Sequence, residues 1–112
     1  MAQFHGVIVY EIIENGLMLN GIYTNTHNNP SSVVDNEILV KVSKKQGVSG
    51  VYKCRYIETK PNADMVSHHK VTITRSGVVY FFVWKDKNGK KIWEGIGLPA
   101  GDRHIAVSYI WS

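Results

Sequence analysis

Residues 69–111 decide the fold: His69-Lys-Val-Thr-Ile-Thr-Arg75, Ser76-Gly77, Val78-Val-Tyr-Phe-Phe-Val-Trp-Lys85, Lys87-Asn-Gly-Lys90, Lys91-Ile-Trp-Glu-Gly-Ile-Gly-Leu98, Gly101-Asp102 and Ile105-Ala-Val-Ser-Tyr-Ile-Trp111. β-Branched and aromatic residues fill the long runs, and short turn signals separate them, which predicts strands joined as hairpins. Two-residue turns set strand register, so facing side chains can be read off the chain. A turn at Ser76-Gly77 sets Ile73 against Tyr80 and Val71 against Phe82. A turn at Asn88-Gly89 sets Trp84 against Trp93, Phe82 against Gly95 and Tyr80 against Gly97. A turn at Gly101-Asp102 sets Gly97 against Ala106, Gly95 against Ser108 and Trp93 against Ile110.

That register gives two faces with different problems. One carries the large rings Tyr80, Phe82, Trp84 and Trp93 beside small Gly95, Gly97, Ala106 and Ser108. Glycine inside a strand often marks a close approach, so either the rings fill the space or a ligand does. The other face carries Val79, Phe81, Val83, Ile96, Leu98, Ile105 and Val107, interrupted by Glu94. A monomer with one buried face should not show this second apolar stripe: either the N-terminal strands form a second layer over it, or another subunit covers it, which makes it a candidate self-association surface.

Outward from this stretch, the N-terminal half repeats the pattern. Asn15-Gly16 between two apolar runs is a hairpin signal, and it sets Ile12 against Leu19, Tyr10 against Gly21 and Ile8 against Tyr23. Glu11 and Asn20 pair on the other face. Residues 50–58 alternate cleanly, with Tyr52, Cys54 and Tyr56 inward and Lys53 and Arg55 outward. Residues 37–43 read either as a strand, with Ile38, Val40 and Val42 alternating with Glu37, Leu39 and Lys41, or as one helical face formed by Ile38, Leu39 and Val42. Thr24–Asp35 and Thr59–Ser67 are polar, proline-containing stretches expected to be loops.

At 112 residues the chain is expected to form a single domain over 1–112, large enough for a real core. No apolar run reaches the ~18 residues a membrane-spanning helix needs, and no leader is recognisable at the N-terminus, so a cytoplasmic protein without membrane contact is expected. The single Cys54 excludes an internal disulfide and suits a reducing compartment. A net charge of +4 resides largely in lysines at predicted turns, where they keep strand ends soluble.

About eight strands in up-and-down order predict an all-β, antiparallel meander that closes into a small barrel. Gly21-Ile22-Tyr23 and Gly50-Val51-Tyr52 resemble the Gly-x-aromatic openings of calycin barrels, the lipocalins and avidins. Tyr80–Trp84, Trp93–Leu98, Gly101-Asp102 and Ala106–Tyr109 resemble small bacterial calycin-like barrels of unassigned function. The resemblance covers the C-terminal 65 residues or so far better than the N-terminal part. It implies a closed or nearly closed barrel with a ligand mouth at one end and a tendency to oligomerise. No Gly-x-Trp opens the first strand as in typical lipocalins, and no avidin-type biotin set can be matched.

Catalytic chemistry finds little support. His68-His69 are adjacent, so a strand points them to opposite faces and they cannot share a metal ion unless they lie in the loop. His5, His27 and His104 lack ligand spacing, and Cys54 between two tyrosines reads as a small core hydrophobe. No catalytic residue, metal or cofactor is therefore expected. The leading expectation is a non-enzymatic binder of a small, mostly apolar molecule. Its pocket would be lined by Tyr52, Tyr56, Tyr80, Phe82, Trp84 and Trp93, with Gly95, Gly97, Ala106 and Ser108 making room. The alternative is a filled interaction module that forms homo-oligomers through its aliphatic face. A third reading, oligonucleotide or polyanion binding, is weakened because Lys53 and Arg55 alternate away from the rings.

Overall fold

The computed structural model describes residues 4–26, 35–58 and 65–111. The chain forms eight strands: β1 (His5–Ile13), β2 (Met18–Asn25), β3 (Asp35–Lys41), β4 (Gly50–Glu58), β5 (Met65–Ser76), β6 (Val79–Lys85), β7 (Lys91–Pro99) and β8 (His104–Trp111). Each pairs antiparallel with the next, and β8 returns to pair with β1. The expected all-β up-and-down meander is thus a closed barrel, with no unpaired edge strand left open. No helix among the described residues is long and apolar enough to cross a membrane.

Two hairpins keep the register expected from their turns. β1–β2 pairs Ile8 with Tyr23, Tyr10 with Gly21 and Ile12 with Leu19, although the turn is a 3-10 segment, Glu14–Gly16, rather than a two-residue loop. β6–β7 pairs Tyr80 with Gly97, Phe82 with Gly95 and Trp84 with Trp93. The β5–β6 turn falls on Gly77-Val78 instead of Ser76-Gly77, so Ile73 meets Phe82 and Val71 meets Trp84. A slip of two residues preserves the face, and all four side chains remain buried.

The last hairpin overturns its expected register. Ala100 N–H donates to the His104 carbonyl at 2.8 Å, leaving Gly101-Asp102-Arg103 as a three-residue loop. Ile12 N–H holds this loop through the Arg103 carbonyl at 2.7 Å, a contact that only barrel closure supplies. Gly97 therefore pairs with Val107, Gly95 with Tyr109 and Trp93 with Trp111. A one-residue slip exchanges the two faces of a strand. Ala106 and Ser108 consequently leave the expected pocket and point outward, while Ile105 and Val107 leave the expected interface and join the core.

Residues 35–41 are strand, which settles the helix-or-strand alternative at this position, yet their faces run against hydrophobicity. Glu37, Leu39 and Lys41 point inward, while Val40 and Val42 are exposed. Pairing on both sides dictates this: Glu37 lies opposite Gly21 and Tyr56, and Lys41 opposite Tyr52. Of the two expected loops, Thr24, Asn25 and Asp35 belong to strands, as do Met65–Ser67. Residues 27–34 and 59–64 lie outside the described residues.

One end of the barrel is sealed. Residues 42–49 fold across it, with Gly47 N–H donating to the Asn15 carbonyl at 2.7 Å. Lys41 reaches this end from inside, where Nζ donates to the carbonyls of Lys45 at 2.9 Å and Ser49 at 3.0 Å, and to that of Gly47. The Tyr52 hydroxyl lies 2.7 Å from the carbonyls of both Gly16 and Val48. Leu19, Leu39, Ile73, Tyr80, Phe82 and Ile105 pack above this floor.

Candidate ligand cup and its buried carboxyl

Among the described residues, the opposite half of the barrel holds a cavity. A cavity of about 140 Å³ is lined by Phe4, Ile8, Tyr23, Asn25, Glu37, Tyr56, Trp84, Trp93, Tyr109 and Trp111. It lies at the end where β2 leads to β3 and β4 to β5. Its rings brace one another: Phe4 stacks on Trp111 at 4.9 Å and leans on Tyr109 at 5.6 Å. Trp93 meets Tyr56 edge-on at 5.7 Å, and Tyr23 meets Tyr56 edge-on at 6.2 Å. Trp111 is half exposed and stands at the rim.

The space over the strand glycines is occupied. A Cβ on Gly95 would stand 2.8 Å from the Ser108 carbonyl oxygen and 3.2 Å from the Trp84 ring, and one on Gly97 would stand 2.9 Å from Val107 Cγ2. These glycines admit neighbouring side chains rather than a ligand. The same device acts on β2, where a Cβ on Gly21 would press on the Tyr10 ring at 2.7 Å. Tyr10 thereby lies flat against β2, stacks on Phe82 at 5.6 Å and extends its hydroxyl toward β3.

The hydroxyl reaches Glu37. This carboxyl is buried, and three donors from three strands converge on it. Tyr10 O–H donates to Oε2; Cys54 S–H and Trp84 Nε1–H donate to Oε1 at 3.0 and 3.1 Å. Burial raises the Glu37 pKa above the usual carboxylate range, while the three hydrogen bonds oppose the rise by favouring the charged form. Burial, and then the nearby Glu37, push both the Tyr10 hydroxyl and the Cys54 thiol well up. Cys54 is therefore held as a thiol, without the thiolate character a nucleophile needs.

Tyr109 lines the wall between β7 and β1, and burial raises its pKa. Asn25 Nδ2 donates to its hydroxyl at 3.1 Å, which fixes the ring beside the cavity. His69 packs behind the wall, stacked on Tyr56 at 5.0 Å and edge-on to Trp93 at 5.2 Å, while His68 faces solvent. Burial lowers the His69 pKa, and its Nδ1 has no hydrogen-bond partner among the described residues. Among the described residues no three His, Cys, Asp or Glu side chains are grouped to hold a metal ion.

Of the pocket residues expected from sequence, Tyr56, Trp84 and Trp93 line the cavity. Tyr52, Tyr80, Phe82 and Gly97 belong to the packed lower half, Gly95 lies under Trp84 and Tyr109, and Ala106 and Ser108 face outward. Sequence reasoning missed Phe4, Asn25, Glu37, Tyr109 and Trp111, and it read Ile8 and Tyr23 as interior without assigning them to the pocket. One signal pointed to Glu37: buried Tyr10 and Trp84 each require an acceptor for an O–H or N–H, and inward acids are the natural source.

The outer face also differs from expectation. Phe81, Ile96 and Leu98 are 45%, 50% and 55% exposed, as a surface stripe requires, and Val79 and Val83 are half-buried there. Ile105 and Val107 are replaced on it by Ala106, Ser108 and Ile110, and exposed Val7, Val9 and Ile22 continue the stripe onto β1 and β2. A shallow groove of about 490 Å³ runs between Phe81, Ile96, Ser108 and Ile110. Comparison of the chain with protein-family models, with curated proteins and with solved structures returns no match.

Proposed function

We propose that this barrel is a calycin-like, non-enzymatic binder of a small, mostly apolar molecule, taken into the aromatic cup. The observation that carries the reading is the 140 Å³ cavity, walled by rings and carrying one buried carboxyl. A space of that size suits a compact molecule such as a single aromatic ring. Ligand sites combine apolar walls with a few polar groups that set orientation, and Glu37 and Asn25 supply them here. The outer groove is larger, but it is shallow and lacks a buried polar group, so it ranks behind the cup. The protonated Cys54 thiol supports a holding site rather than a reacting one, and a single unpaired cysteine suits a cytoplasmic setting.

Tryptophan emission tests the reading directly, because Trp84 and Trp93 line the cup. Toluene or a molecule of similar size should shift the emission saturably. Ile8→Trp, which places a large side chain into the cavity, should weaken binding about tenfold or more while far-UV circular dichroism stays that of the native barrel. Unchanged affinity in Ile8→Trp would sink the cup assignment, because Ile8 does not touch the outer groove.

A second reading rests on the outer stripe across β6, β7, β8, β1 and β2. A closed barrel has no free edge for strand addition, so self-association would use side chains on this face. Sedimentation should then find an oligomer for the native chain and a monomer for Phe81→Glu. A monomeric native chain removes this reading.

A further inference from the structure

We propose that the cup recognises a protonated amine or other small organic ammonium group, with Glu37 as its counter-ion and the surrounding rings as its walls. This rests on the reading of the barrel as a ligand binder and specifies the chemistry of what it takes.

Glu37 is a buried acid. Among the described residues no lysine, arginine or histidine forms an ion pair with it. Lys41, on the same inward face of β3, is turned away to the sealed end, where three backbone carbonyls hold its ammonium. The partners Glu37 does have are all donors, and the indole N–H of Trp84 can only donate. Donors converging on both oxygens favour the carboxylate form, against the burial that raises its pKa. Such a group offers about four acceptor positions, so one remains after Tyr10, Cys54 and Trp84 are counted.

The cup itself reinforces the preference. Glu37 lines the cavity beside Tyr23, Tyr56, Trp84, Trp93 and Tyr109. Ring faces carry partial negative charge and attract a desolvated cation, most strongly when the ring is an indole. An apolar ligand would leave the Glu37 carboxyl uncompensated, and a carbonyl ligand would set acceptor against acceptor. An inorganic metal ion finds no three-ligand group among the described residues. An ammonium group satisfies the open acceptor, the charge and the rings together.

The test is a titration of the full chain with benzylamine, benzyl alcohol and toluene, read by tryptophan emission at neutral pH. Benzylamine is cationic there, and the three probes are nearly equal in size. Native protein should bind benzylamine about tenfold or more tighter than benzyl alcohol, as expected for a hydrogen bond to a charged partner. Glu37→Gln keeps the shape and removes the charge, and should abolish that preference. Should circular dichroism show Glu37→Gln unfolded, Trp93→Leu keeps the carboxyl and should weaken benzylamine more than toluene; equal losses overturn the proposal. So does equal native affinity for benzylamine and benzyl alcohol, or an undiminished preference in Glu37→Gln. Binding of toluene and benzyl alcohol without amine preference leaves the cup as a binder and removes only the cation. Failure of all three probes removes both.

Discussion

The interaction between Glu37 and Tyr10 can be measured by a double-mutant cycle. Glu37→Leu removes the common acceptor of Tyr10 O–H, Trp84 Nε1–H and Cys54 S–H, in a region where all three residues are almost wholly buried. A buried donor left without an acceptor costs about 1–3 kcal/mol, and the thiol adds little. The carboxylate's own desolvation penalty, several kcal/mol, is recovered at the same time, so the net effect of Glu37→Leu alone is hard to read. The informative quantity is the effect of Tyr10→Phe in each background. In the native chain it deletes a hydrogen bond to an acidic acceptor and should cost about 1.5–3 kcal/mol. In Glu37→Leu the Tyr10 hydroxyl has lost its acceptor, so the same change should be neutral or stabilising. The coupling is therefore expected at about 2–4 kcal/mol, a large share of the ~5–15 kcal/mol that holds a typical domain folded. Urea unfolding followed by far-UV circular dichroism measures all four corners. An equal cost of Tyr10→Phe in both backgrounds would refute the argument.

Glu37→Gln adds a pH signature: the unfolded carboxyl ionises near its ordinary 4.5, while the buried one holds its proton to higher pH. Native stability should therefore fall, relative to Glu37→Gln, as pH rises above about 4.5, and parallel pH–stability curves would contradict this. His69 acts on the opposite side, because its folded pKa is lowered from 6.5; its contribution is complete above 6.5 and is lost as pH falls, a slope His69→Phe should remove in the same measurement. Gly6→Ala would drive a Cβ into the Tyr109 ring, with an expected loss of about 1–3 kcal/mol by urea unfolding, and a native midpoint would count against the packing described. Lys41→Met keeps the side chain's apolar stem but abandons the three carbonyls at the sealed end, so about 1–3 kcal/mol of destabilisation is expected by thermal unfolding.

The amino-acid sequence by itself determined the strand content, the up-and-down order and much of the core. Asn15-Gly16 and Asn88-Gly89 predicted the register of their hairpins although neither closes as a two-residue loop, and Tyr52 and Cys54 point inward as alternation requires. At Ser76-Gly77 the turn slipped by an even number and the faces survived. At Gly101-Asp102 it slipped by one, because the Arg103 carbonyl is claimed by Ile12 on β1. No local pattern encodes that contact; it exists only because the barrel closes. The slip brought Tyr109 to the cup wall and turned Ala106 and Ser108 outward. Glu37 was hidden for a related reason. Hydrophobic alternation assigns Ile38 and Val40 to the interior, yet a buried acid is stable where Tyr10, Cys54 and Trp84 donate to it from three other strands. Patterning reads burial one strand at a time, whereas the satisfaction of a buried polar group depends on strands far apart in the chain. The fold was therefore legible in the turns, and the chemistry of the cup was decided by closure.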